Sequence, residues 1–294
     1  MTRAFADEDF EACLVCPWCG AREAASWGAP LRGFEARCCG ACDVVYLSRR
    51  LTPAAQEAYY ARYLSEEHEA DAELNTARAR MYELEFELIA PHVPSVVAPK
   101  GAKPRVLDVG CSRGGFLEVF ARHGFACSGV EFGAEAAAAA AQRFDVQRGE
   151  LPELDLRGPF DLVTFRGVIE HVQDPQRYLR CAFELLAPGG ALFVTSTPNR
   201  DAFCCELFGE RWNQHEPEGH LFHLATRHLD ALLVEQLGAT KLFERYLYES
   251  TPYADPSRDL ARVAEAQASR ARGEAAPFDS PPFWGNMLSV AYRK

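Results

Sequence analysis

The sequence has no run of basic residues: 31 Lys and Arg against 42 Asp and Glu, spread over 294 residues, leave a net charge of −11. Bulk phosphate binding has no obvious electrostatic footprint here, which argues against a nucleic-acid partner, although a locally basic face is still compatible with the composition. Nor is there an uninterrupted apolar stretch of about 18 residues, so no membrane span is expected. The opening MTRAFADEDFEAC is acidic and lacks an apolar core, so no secretory leader is expected either. Without that signal, eleven cysteines point to thiols or metal in a reducing compartment, the cytoplasm, and not to a disulfide framework. A 48% hydrophobic chain of this length can build one full core and a small appendage.

The cysteines are unevenly placed. CPWCG and CCGACDVVYL give Cys16-x2-Cys19 and Cys39-x2-Cys42, two tight pairs about 20 residues apart, a zinc-ribbon spacing. Each pair can aim two thiolates at one ion, and four thiolates close a tetrahedral structural site with no open position for catalysis. Cys38 is an alternative to Cys39 that changes the spacing, and four buried free thiols are the plain alternative to a metal. A module spanning residues 1–50 has too few residues for a large core, so zinc would supply much of its folding energy.

RVLDVGCSRGGFLEVF, Arg105 to Phe120, has the pattern of a buried strand, a glycine loop and the start of a helix. A dinucleotide site needs G-x-G-x-x-G, and the second glycine is missing: Ser112 stands there. Asp108, two residues before Gly110, suits a cation better than a phosphate. S-adenosylmethionine, with an α-ammonium, a sulfonium and no phosphate, fits this loop. Glu131 ends the next strand about twenty residues later, where an acidic side chain meets ribose hydroxyls.

From Lys103 onward, strand and helix patterns alternate, which predicts a parallel sheet covered by helices on both faces. Residues 51–100 are expected to form a helical cap or linker, opened by Thr52-Pro53 and closed by prolines at 91, 94 and 99. Residues 101–294 are expected to form the cofactor domain, with insertions at about 200–225 and 251–280. The second insertion has a helical apolar spacing at Leu260, Val263, Ala264 and Ala268, suiting a lid or an oligomer contact; a solvated insertion is the plain reading.

These motifs together resemble the class I S-adenosylmethionine-dependent methyltransferases, over about residues 103–248 and the final strand. VLDVGCSRGGFL is similar to the family's first motif and GVEFG to its second. FDLVTFRGVIEHV and the later TSTPN are similar to a subgroup with a V-L-E-H-V turn and a T-P-N strand end. The N-terminal CGACDVVYL is similar to the ribbon some of these enzymes carry. The resemblance implies a doubly wound, mostly parallel, seven-stranded Rossmann-like sheet with a small zinc ribbon. It implies that Asp108, Gly110, Cys111, Gly114, Gly115 and Phe116 hold the methionine part, Glu131 the ribose, Phe132 the adenine face, and Glu150 and Leu151 its edge. Arg166 would face cofactor and substrate. In metal-dependent relatives an acidic residue precedes the E-H pair; Gly167 removes that potential ligand, arguing against a catalytic metal at Glu170-His171.

Methyl transfer needs an in-line nucleophile and often a proton acceptor. His171, after the fourth strand of the sheet, and His220, after the fifth, are the candidate bases, with packing roles as the alternative. Tyr59, Tyr63, Trp212, His215 and His223 are candidate acceptor contacts; each could equally pack the core. The amino-group signature N-P-P-Y is absent after the fourth strand. The sequence therefore predicts methylation of an oxygen nucleophile on a small molecule such as a sugar, a phenol or a metabolic intermediate. A non-catalytic cofactor-binding protein and an RNA or ribosome modifier are the alternatives. Oligomeric state is open.

Overall fold

The computed structural model describes residues 5–63, 72–93 and 103–294, with the backbone alone for 61–63; Pro94 and Pro99 lie outside the described residues. The chain begins with four short strands, β1 (Phe10–Ala12), β2 (Ala24–Ser26), β3 (Glu35–Cys39) and β4 (Val45–Leu51). They pair antiparallel in the order β1-β4-β3-β2. Helix α1 (Pro53–Tyr63) follows at once, its first turn capped by the Thr52 hydroxyl, which accepts from the Ala55 amide at 3.3 Å. Helix α2 (Ala72–Ile89) buries Met81, Leu84, Glu85, Phe86 and Ile89.

The main domain alternates as its pattern predicts: β5 (Arg105–Val109), α3 (Gly115–Arg122), β6 (Ala126–Glu131), α4 (Ala134–Ala141), β7 (Asp145–Arg148), β8 (Phe160–Arg166), α5 (Pro175–Leu185) and β9 (Leu186–Pro198). Then come α6 (Phe203–Phe208), β10 (Phe222–His223), α7 (Thr226–Asp230), β11 (Thr240–Arg245), α8 (Pro256–Ala271) and β12 (Met287–Arg293). Seven strands form one sheet in the order β11-β12-β9-β8-β5-β6-β7. Strands β5 to β9 are parallel, and β12 inserts antiparallel between β9 and β11. Buried on both faces, β5 and β8 have near-continuous apolar interiors, as parallel strands must. The strand order reverses between β5 and β8, so a crevice opens beyond their C-terminal ends.

Two long-range features depart from the simple pattern. Strand β10, inside the segment after β9, pairs with β4, with Phe222 opposite Tyr46 and His223 opposite Val45. The four-stranded N-terminal sheet thereby gains a fifth strand from the main domain. One apolar core runs through both parts, joining Cys16, Trp18 and Phe34 to Phe165, Ile169 and Leu229. The segment 251–280 is also not merely solvated: α8 buries Val263 and Ala266 against Cys204, Phe208 and Trp212. No helix among the described residues is long and apolar enough to cross a membrane.

Candidate active site

The glycine loop begins where β5 ends. Gly110 adopts φ 73°, and a Cβ there would sit 2.4 Å from the Val168 side chain, so only glycine passes. The amides of Gly110 and Cys111 donate to the Val130 carbonyl at 2.8 and 3.0 Å, folding the loop over β6. Glu131 completes the turn: its carboxylate accepts from the amides of Ser112 at 2.8 Å and Gly133 at 2.7 Å. Gly114 then caps α3 with φ 83°. Beside the loop, Asp108 is buried and accepts from the Thr164 hydroxyl at 2.6 Å. Burial pushes its carboxyl up to about 7, against the pull of Thr164 and Arg166. A cation brought against this carboxyl would favour its charged form.

Asp108, Gly110, Cys111, Gly115, Phe116, Glu131, Phe132, Glu150, Leu151 and Arg166 all line one cavity of about 900 Å³. Gly114 is not among its lining residues; its part is to start α3. Phe132 is 41% exposed, an aromatic face left open at the end of β6.

Helix α2 supplies a wall that the sequence pattern did not reveal. Arg78, Met81, Tyr82 and Glu85, spaced as one helical face, line the same cavity. Glu85 is fully buried and accepts from Arg166 Nε at 2.5 Å, Ser196 Oγ at 2.6 Å and Thr195 Oγ1 at 3.1 Å. The Arg166 guanidinium also lies 4.6 Å from the Tyr82 ring centroid. The cap helix is thus locked to the ends of β8 and β9 by a buried, fully hydrogen-bonded carboxylate. A periodic pattern marks Glu85 as helical, but its partners lie 81 or more residues away.

The same cavity also holds histidines. His171 Nδ1 lies 2.7 Å from the Tyr60 hydroxyl and 3.0 Å from the Gly219 carbonyl. His220 Nδ1 lies 2.8 Å from the Gln214 carbonyl. A carbonyl only accepts, so the His220 proton sits on Nδ1 and the lone pair on Nε2. The two rings are 4.8 Å apart, and both line the cavity. Burial pushes His171 down to about 3 and also lowers His220, so both are neutral near pH 7. Glu170, with His171 and His220, brings ligand atoms within 4.8 Å of one another. Burial pushes its carboxyl up to about 8, and it accepts from Thr197 Oγ1 at 3.1 Å. Gln56, Tyr59, Tyr60, Asn213 and Gln214 also line the cavity.

Three predicted acceptor contacts are not brought to the cavity wall. Trp212, His215 and His223 are buried together, with His215 Nδ1 and His223 Nε2 3.1 Å apart and the Trp212 ring 5.1 Å from that of His223. His223 lies in β10 against β4, the His215 ring meets that of Trp27, and Trp212 packs with Cys204, Phe208 and α8. Tyr59 does line the cavity; the Tyr63 side chain lies outside the described residues. Tyr60, next to the predicted Tyr59, is the tyrosine that reaches His171.

The sulfurs of Cys16, Cys19, Cys39 and Cys42 all lie within 4.8 Å of one another. Backbone turns shape both pairs: the Gly20 amide donates to the Cys16 carbonyl at 2.9 Å and Asp43 to that of Cys39 at 3.0 Å. Burial resists ionisation in this cluster: it pushes Cys16 up to about 11 and Cys42 well above the ordinary thiol value, whereas at Cys39 the amides of Cys42 and Ala41 outweigh it and hold the thiol at about 7. Successive strand residues face opposite ways, and the Cys38 sulfur instead donates to Asp43 Oδ1 at 2.9 Å.

Residues 78–242, more than half of the chain, match a family model described as a methyltransferase domain. The chain belongs to that family. The ubiquinone biosynthesis O-methyltransferase of Pseudomonas fluorescens is 36% identical over 115 residues, 34% of this chain and 47% of that protein. Its counterpart in a Caulobacter species is 39% identical over 105 residues, 33% of this chain and 41% of that protein. The chain therefore spans about half the length of the curated relatives it matches. The 1,6-didemethyltoxoflavin-N1-methyltransferase of Burkholderia thailandensis, solved with 1,6-didemethyltoxoflavin and S-adenosylhomocysteine, shares the fold at 17% identity. The TM-score is 0.51, over 92% of this chain and 99% of that one.

The buried charges of the methyltransferase domain predict its response to acid. Five imidazoles, His171, His215, His220, His223 and His228, are held below the ordinary value, chiefly by burial. Three carboxyls, Asp108, Glu131 and Glu170, are held above theirs, again chiefly by burial. Between about pH 4.5 and 6.5 unfolding lets the five imidazoles take up protons while the three carboxyls release theirs. The imidazoles outnumber the carboxyls, so the unfolded state binds more protons and stability rises with pH across this window. The melting temperature of the ligand-free protein is expected to fall from about pH 6 to about pH 5; a flat or rising profile over that range would show that the carboxyls dominate.

Proposed function

We propose that this chain is an S-adenosylmethionine-dependent methyltransferase acting on an oxygen nucleophile of a small molecule: a sugar, a phenol or a metabolic intermediate. The observation that carries this reading is a single cavity lined by two unlike sets of groups: Asp108, the glycine loop and Glu131, and the neutral pair His171 and His220.

The residues present fit the cofactor by charge. Asp108 suits the α-ammonium and Arg78 the carboxylate of the methionine part, Glu131 the ribose hydroxyls, and Phe132 with Glu150 and Leu151 the adenine. When bound, S-adenosylmethionine supplies a methyl group made electrophilic by its sulfonium. The protein's own part is to hold the acceptor in line, keep water out and take a proton. His220 Nε2 is the proton acceptor of this reading, because its other nitrogen is committed to the Gln214 carbonyl. His171 is oriented by Tyr60 and Gly219. The curated relatives named as O-methyltransferases support an oxygen acceptor.

In the same reading the chain has a zinc ribbon at 1–50, a helical cap at 51–100 and the cofactor domain at 101–294, belongs to the V-L-E-H-V and T-P-N subgroup, and works in the cytoplasm, where its free thiols stay reduced. Zinc would be held by Cys16, Cys19, Cys39 and Cys42 as a closed tetrahedral site. Elemental analysis of protein purified without added metal should find one zinc per chain, and Cys39→Ser should lose it. A metal-free protein with a folded N-terminal region would refute the site. The activity is tested by calorimetry with S-adenosylhomocysteine and by transfer from methyl-labelled S-adenosylmethionine to panels of sugars, phenols and hydroxy acids. Absence of binding would overturn the reading; binding without transfer to any hydroxyl acceptor would favour a non-catalytic role.

A further inference from the structure

We propose that the four-cysteine module braces the acceptor side of the cavity without lining it, so that its metal sets the position of His220 and Tyr60 while cofactor binding is independent of it. This rests on the zinc reading above and extends it from folding to function.

Strand β4 carries the argument. It starts three residues after Cys42 and is paired with β3, the strand that ends at Cys39. Its other edge holds β10, and the Leu47 amide donates to the Leu221 carbonyl at 2.9 Å. Leu221 follows His220 directly, and its own amide donates to the Glu170 carbonyl at 2.8 Å. His220 therefore hangs on a segment stretched between the module's central strand and the Glu170-His171 turn. The same strand leads through Thr52 into α1, which delivers Tyr60 to His171 Nδ1 and Gln56 Nε2 to the His171 carbonyl at 3.3 Å. Both histidines are thus positioned from β4.

Further grips fall on the same segment. The Trp27 ring, from the turn after β2, meets the His215 ring at 5.0 Å, and Arg32 pairs with Glu218 at 2.7 Å. At the second cysteine pair, His228 Nε2 donates to the Cys42 carbonyl at 2.7 Å. The cofactor groups are held differently. Asp108 and Glu131 take their hydrogen bonds from Thr164, Ser112 and Gly133, all within the parallel sheet and its loops. The strands of the module are only three to seven residues long, so a metal that closes both cysteine turns adds to the shared core a second constraint on the strand on which the histidines depend.

The test strips zinc from the full chain with 1,10-phenanthroline and restores it with zinc chloride. Metal content, S-adenosylhomocysteine affinity and backbone hydrogen exchange are followed on the same samples. Stripping should leave the affinity within about threefold while exchange in 45–60 and 213–223 speeds up by at least about tenfold and 105–133 keeps its protection. Zinc should reverse the change. Unchanged exchange in 213–223 after measured zinc loss overturns the coupling, as does loss of S-adenosylhomocysteine binding together with the metal. A chain that never held zinc yet protects both segments would remove the zinc reading itself, and this proposal with it.

Discussion

Glu131→Ala is expected to weaken S-adenosylhomocysteine binding by at least about 100-fold, since two charge-assisted hydrogen bonds to the ribose at about 1.5 kcal/mol each amount to about 3 kcal/mol. The geometry adds to this loss. The Glu131 carboxylate also accepts from the Ser112 and Gly133 amides, so alanine leaves two loop donors without their acceptor. Glu131→Gln keeps the volume and one acceptor oxygen, and should fall between wild type and alanine. Calorimetry on all three proteins decides; equal affinity for wild type and Glu131→Ala would remove Glu131 from the cofactor site. Circular dichroism on the same samples separates a lost contact from a lost fold.

His220→Ala is expected to lower turnover by about 10²-fold or more, the usual range for removing a general base, while changing cofactor affinity little. The prediction favours His220 over His171 because the Gln214 carbonyl fixes the His220 tautomer with its lone pair on Nε2, whereas His171 Nδ1 is shared between the Gly219 carbonyl and the Tyr60 hydroxyl, which can donate to it. Burial lowers its pKa, so the wild-type rate should be flat through neutrality and drop in acid, as the imidazole gains a proton. His220→Ala should lose that acid limb along with the rate. Single-turnover measurements across pH with a confirmed acceptor are the check. A wild-type rate and pH profile in His220→Ala would make it a packing residue and move the search to His171 and its partner Tyr60.

The parts of this site legible in the sequence are those set by a few consecutive residues. Asp108 and Gly110 stand at the end of a β-patterned run, and Gly110 adopts the left-handed conformation its place in the turn requires. Glu131 closes the next strand, and its side chain folds back on the loop it was matched with. The paired cysteines gather because a C-x2-C turn aims two sulfurs the same way whatever surrounds it. By contrast, Tyr59, Tyr60 and Tyr63 are alike in a helical pattern, and spacing could not single out Tyr60. That choice is made by His171, 111 residues away.

The chain's sequence by itself determined the alternation of strands and helices from β5 to β9, the glycine loop with its two carboxylates, and the two cysteine turns. Each depends on backbone preferences and apolar periodicity acting over a few residues. Tertiary structure decided which further polar groups line the cavity. Glu85, an ordinary acidic residue on a helix, becomes the anchor of Arg166 only when α2 is packed on β8 and β9 and desolvated. Trp212, His215 and His223 look like site residues in the sequence, yet α8, Trp27 and the pairing of β10 with β4 cover them and they lie in the interior. The reason is physical: a hydrogen bond or an ion pair has the strength to orient a side chain only after water has been removed from it, and what removes the water lies far along the chain.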